Sequence, residues 1–144
     1  DELIAAVRAA VLRSSDADLA GLEELLESAG PIRDEEDGVR SGSDFHVEVA
    51  ALSANPFFVE AVRASMTRLA RTRWLEVRTP EARAAAWEEH RAIVRAMRAR
   101  DADAAAELVA THIRSTTRRL LDRLAEQLRP LRFRGMAVTG ASGD

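Results

Sequence analysis

Apolar residues recur at helical spacing, three or four positions apart, along nearly all of this chain. Leu3, Ile4, Val7 and Val11 share one face of a first segment over 1–13. Ser14-Ser15-Asp16 is a helix-start signal. Leu19, Leu22, Leu25 and Leu26 then stripe a second helix, which Gly30-Pro31 ends because proline cannot extend the hydrogen-bond ladder. Residues 30–42 are polar and contain glycine, which predicts a loop over at least part of them. A third helix follows over roughly 43–53, with Phe45, His46, Val49 and Leu52. Asn55-Pro56 joins a capping residue to a first-turn proline. It opens a long fourth helix to about Arg78, striped by Phe58, Val62, Met66, Leu69 and Trp74. Thr79-Pro80-Glu81 opens a fifth, to about Arg98. Asp101 caps a sixth, from about 102 to 129, just before Pro130. Residues 131–144 hold three glycines and little periodic apolar content, so a loose tail is expected there. No strand pattern competes. Six helices with short connections predict an all-α fold, an antiparallel bundle.

Composition narrows the picture. A chain of 144 residues suits one domain, and 47% hydrophobic with 31% charged residues is a globular balance, not that of a disordered chain. No apolar run reaches the ~18–20 residues of a membrane span. The N-terminus has no basic stretch leading into an apolar core, so no signal peptide is expected. The absence of cysteine removes disulfides, thiolate zinc sites and cysteine nucleophiles, and it fits a cytoplasmic protein. A net charge of −3 is a poor match to a chain that grips phosphates. All 21 basic residues are Arg, which together with abundant Ala reflects GC-rich coding. Asp1 falls inside a helical pattern, so the chain is expected to be part of something longer.

The three histidines carry the candidate chemistry. His46, His90 and His112 fall on three different helices, each on or beside the apolar stripe. His90 lies in the row Ala86, Trp87, His90, Val94, Met97; His112 lies in the row Ala105, Leu108, Val109, His112, Ile113, Thr116. Inward positions on separate helices of a bundle can meet at one level. Neutral imidazoles suit Zn²⁺ and other divalent first-row ions, and three of them leave positions open for water or a ligand oxygen. The plainer reading is three core histidines, each hydrogen-bonded separately. Other templates fail: there is no Glu-x-x-His, His-Glu-x-x-His, Gly-x-Ser-x-Gly or P-loop. No catalytic residue is assigned.

Three segments together resemble one family. They are Asp44-Phe45-His46 with Ala51-Leu52-Ser53-Ala54-Asn55-Pro56-Phe57; Glu88-Glu89-His90-Arg91-Ala92-Ile93-Val94-Arg95-Ala96; and Arg100-Asp101-Ala102-Asp103-Ala104-Ala105 with Thr111-His112-Ile113. In order and spacing, over about residues 2–125, they resemble the C-terminal ligand-binding (FCD) domain of FadR-type GntR transcription regulators. The resemblance implies a bundle of six or seven helices over 1–130, its first helix truncated. It implies a homodimerising sensor that takes a small effector, an organic or sugar acid. It also implies a divalent metal (Zn, Ni or Mn) on His46, His90 and His112 that helps hold the effector's carboxylate. DNA would be contacted only through a winged-helix domain preceding Asp1, and no membrane is involved.

The sequence departs from that pattern at one ligand. The family's Asp one turn before the first histidine falls on Gly42. Asp44 lies on the opposite side of an ideal helix from His46 and reaches the site only if the helix starts late or bends at Gly42. Gly42 would also let a backbone or a larger effector approach closely. The effector-binding residues are not identified by sequence. Trp74 and Trp87 are candidates for pocket lining or for packing, and Arg71 and Arg73 for an inward anion contact. Arg118, Arg119, Arg123, Arg129, Arg132 and Arg134, with Asp122 and Glu126 interleaved, read as a solvated face. Two rival functions remain: a small three-His metalloenzyme (hydrolase or hydratase), and a helical dimerisation module with a dry core.

Overall fold

The computed structural model describes residues 2–139. Seven helices and no strands are found among them: α1 (Glu2–Arg13), α2 (Asp16–Ala29), α3 (Glu35–Leu52), α4 (Pro56–Arg68), α5 (Ala70–Glu76), α6 (Pro80–Arg98) and α7 (Ala102–Thr139). The all-α expectation holds.

Most helix starts follow from local chemistry. Ser15 and Asp18 form a capping box on α2. Asn55 caps α4 and Thr79 caps α6, each followed by a first-turn proline. The Asp101 carboxylate accepts the Ala104 N–H at the head of α7. Gly30, at φ +68°, ends α2 in a conformation that costs glycine little.

Helix α1 is the centre of the bundle and packs on α3, α4, α6 and α7. Ala6, Val7 and Ala10 are fully buried, and their small side chains let neighbouring helices come close. Around them the core gathers Leu19 and Leu22, Phe45 and Val49, Ile93 and Met97, and Val109. Arg100, at φ +59°, binds the two interhelix connections together. It donates to the carbonyls of Val11 (2.8 Å) and Ser14 (2.7 Å) and to Asp16 Oδ1 (2.7 Å).

Three boundaries differ from expectation. Helix α3 begins at Glu35, about eight residues early. Asp34 caps it, and Glu35, Glu36 and Asp37 set negative charge on its N-terminal dipole. Gly38 and Gly42 stay helical because both face inward against close neighbours. A Cβ at 38 would meet Val77 at 3.0 Å. The long fourth helix is two, broken at Leu69 (φ −93°, ψ 3°), and no proline or glycine marks the break. Helix α7 runs through Pro130 to Thr139, so the proline, which cannot donate to the ladder, does not end it. Of the expected loose tail, residues 140–144 lie outside those described.

Asp37 ties the start of α3 to the preceding turn. Its carboxylate accepts the Arg33 N–H (3.0 Å), the Ser41 hydroxyl (3.1 Å) and Arg40 Nη2 (3.2 Å). The Arg33 backbone N–H is the main cause of its lowered pKa. A carboxyl lowered on folding adds stability above its ordinary value of 3.8 and loses it as pH falls through the folded value. Asp37→Ala is therefore expected to cost about 1–3 kcal/mol in urea unfolding at neutral pH. The gap from wild type should close progressively as pH falls below 3.8. An unchanged gap at pH 3 and pH 7 would refute this role.

Candidate metal centre

Helices α3, α6 and α7 each contribute one imidazole to a single cluster. His46, His90 and His112 are all buried, and one ring nitrogen from each lies within 4.8 Å of the others. Ring centroids are 4.7 Å apart for His90 and His112, 5.2 Å for His46 and His90, and 5.3 Å for His46 and His112. Phe45 stacks on His90 at 4.3 Å and closes the core side. The three histidines picked from their helical rows thus meet.

A single carboxylate orients the cluster. Glu89 Oε2 lies 2.5 Å from His112 Nδ1. Arg119 grips the same carboxylate with two nitrogens, each at 3.1 Å. Burial alone would raise the Glu89 pKa, but the hydrogen bonds from His112 and Arg119 outweigh it and bring it to about 2. An ionised carboxylate only accepts, so Nδ1 of His112 is the donor and Nε2 is the nitrogen left to offer a lone pair. That Nε2 faces Nε2 of His90 at 3.2 Å. Desolvation, then the neighbouring cationic groups, push the pKa values of His46 and His90 well below 6.5, which keeps both rings neutral.

This donor set fits a divalent ion. Two imidazole nitrogens on one Zn²⁺, each about 2.0–2.1 Å from it, sit roughly 3.0–3.4 Å apart, and the Nε2 pair matches that spacing. A carboxylate behind a ligating histidine is the usual outer partner of such a site. The fourth protein ligand does not follow. Gly42 lies within the continuous helix α3, so Asp44 stays exposed on its far side.

Arg73 fills the space beside Gly42. A Cβ at position 42 would overlap Nη2 of Arg73 and lie 4.0 Å from His90 Cε1. Arg73 is only 8% exposed. Its Nη1 lies 2.5 Å from Ser43 Oγ and 3.1 Å from Met66 Sδ, and no carboxylate pairs with it among the described residues. Glu76, whose pKa is raised by burial, shares the cavity without bonding to it.

That cavity holds about 240 Å³ and is walled by the three histidines, Arg73, Met66 and Thr116. Neither Trp74 nor Trp87 lines it. Trp74 is exposed, and Trp87 packs on the core under the Arg91 guanidinium. Of the two candidate arginines Arg71 is exposed and Arg73 turns inward. Arg119, read as part of a solvated face, instead belongs to the site through Glu89.

Sequence reasoning missed Glu89 and Arg119. Arg119 does lie seven residues after His112, two turns along the same face, and that was the available signal. The Glu89–His112 pairing joins two helices and leaves no local trace.

The fold is a helical bundle with a small cavity on whose wall three imidazoles meet. The FCD domain family model matches residues 4–115, and the chain belongs to that family. Membership fits a regulatory ligand-sensing domain. No curated protein and no solved structure matched significantly. No helix among the described residues is long and apolar enough to cross a membrane.

Glu89→Gln should cost about 2 kcal/mol in chemical unfolding, because it strips Arg119 of its charge partner and weakens the bond to His112. A loss no larger than for an exposed control such as Glu107→Gln would show that the carboxylate does not hold the cluster.

Proposed function

We propose that this chain is the effector-sensing and dimerising domain of a cytoplasmic FadR-type GntR transcription regulator. Its ligand is a small organic or sugar acid, bound where His46, His90 and His112 would hold a divalent ion (Zn, Ni or Mn). One observation carries the reading: in a bundle of the FCD family, three buried imidazoles converge on the wall of a small cavity. The cavity's roughly 240 Å³ falls below the range of drug-sized pockets, about 300–1,000 Å³, and suits a molecule of a few carbons.

Each group has a part. A bound ion supplies open positive positions for a carboxylate. Glu89 and Arg119 keep His112 turned so that Nε2 faces the cavity. Phe45 excludes water behind His90. Leu121, Leu124 and Leu128, exposed along α7, offer an apolar face for a second copy. A ligand that binds one helix arrangement better than another shifts their populations, and this would reposition DNA-binding domains lying outside this chain. The hydrolase or hydratase reading needs a free base beside the imidazoles; both oxygens of Glu89 are engaged by His112 and Arg119, which leaves Glu76 on the cavity wall as the group it would use.

Elemental analysis of protein purified without a tag or chelator tests the site. About one metal ion per chain is expected, and none in the His46→Ala/His90→Ala double variant. Added Zn²⁺ at about 100 times its Kd should stabilise the wild type by about 2.7 kcal/mol and leave the double variant unmoved. No metal in either protein, even after adding Zn²⁺, Ni²⁺ or Mn²⁺, would overturn the metal assignment. A steady metal-dependent turnover lost in His90→Ala would favour the enzyme reading.

A further inference from the structure

Arg73 is a buried guanidinium that no acid engages in an ion pair among the described residues, although Glu76, one turn on, attracts it from across the cavity. It opens on the same cavity as the three histidines. Its neutral contacts, Ser43 Oγ and Met66 Sδ, leave part of its donor fork unused. The nearby acids do not complete it. Glu89 is spent on His112 and Arg119; Glu76 forms no ion pair among the described residues; Glu2 lies at the exposed start of α1; and Asp44 points to solvent. A divalent ion on the imidazoles would add two more positive charges against Arg73 in a poorly solvated space. Like charges there repel strongly. An anion between the guanidinium and the imidazoles would balance these charges.

We propose that Arg73, with Ser43, is the anchor for the ligand's carboxylate, and that carboxylate and divalent ion enter this cavity together, each weak without the other. The inference rests on the metal-and-acid reading above and adds to it the residue that binds the acid and the coupling it imposes. Arg73 and the three imidazoles face one cavity, so a carboxylate in it can reach both the guanidinium and an ion on the imidazoles. A guanidinium fork matches a carboxylate in two parallel hydrogen bonds, which selects acids over neutral molecules of the same size. Reciprocity then follows: if acid raises the affinity for metal, metal raises the affinity for acid by the same factor.

Calorimetric titration of the chain with Zn²⁺ tests this, in buffer alone, with succinate, and with succinamide as the uncharged control. Correction is made for the weak complex of succinate with the ion. Succinate should tighten Zn²⁺ binding by about tenfold or more, within the about 5–150-fold span of such couplings, and succinamide should not. Arg73→Met should bind Zn²⁺ more tightly than wild type without acid and lose the succinate effect; Arg73→Lys should keep part of it. Gly42→Asp, whose side chain would push the Arg73 guanidinium aside and set a carboxylate one turn before His46, should raise the acid-free affinity and also lose the succinate effect. Circular dichroism checks that each variant folds, and Gly42→Asp decides if Arg73→Met does not. Equal Zn²⁺ affinity with and without succinate, or coupling that survives in the folded variants, overturns this inference while the metal site stands. No Zn²⁺ binding by the wild type under any condition overturns the metal site and this inference together.

Discussion

The carboxylate of Glu89 sets the chemistry of the whole cluster. Three imidazoles packed in a core can expose lone pairs or N–H groups to one another in many combinations, and most would not bind a cation. Glu89 removes that freedom at His112, where its oxygen accepts from Nδ1 and leaves Nε2 to face His90. Arg119 in turn keeps Glu89 ionised and in place. The chain of contacts runs from the middle of α7, across to α6, and back to α7. The site therefore depends on the packing of α6 on α7.

Charge divides the cavity into two sides. On one side, behind His112, Glu89 and Arg119 cancel, and burial keeps His46 and His90 neutral. On the other, Arg73 has no direct counter-ion. Gly42 is the reason Arg73 can occupy this place. Any side chain at 42 would compete with the guanidinium for the same volume, so the missing carboxylate and the inward arginine are one structural fact. The family pattern supplies negative charge at that point from α3; this chain supplies positive charge there from α5.

Much of this was legible in the sequence because it is local. Ser15, Asn55, Thr79 and Asp101 act as caps where their types and neighbours indicate, and the histidines meet because each sits on the inward row of its helix. What was hidden is tertiary. The start of α3 is set by Asp34 and an acidic first turn, while the glycines that suggested loop are kept helical by what packs against them. The row Phe58, Val62, Met66, Leu69 steps by four, four and three; its next step of four falls on Arg73. Apolar character favours Trp74 instead, but Trp74 is 47% exposed and Arg73 buried. Reading spacing ahead of residue type would have found the inward arginine.

The position of Arg73 links ligand capture to helix arrangement. It sits on α5, a helix of seven residues with no side-chain cap at its start. So short a helix has little stability of its own and depends on its neighbours, here chiefly α7 and α3. The break at Leu69 frees its axis from that of α4. A carboxylate bridging Arg73 to the imidazoles would join α5 to α3, α6 and α7 through one charged contact and replace a repulsive centre with an attractive one. The α5 segment is then the element whose position the ligand biases most, because it has the least else to hold it. Arg73, a buried charge on the least anchored helix, would thereby couple a bound carboxylate to the helix arrangement.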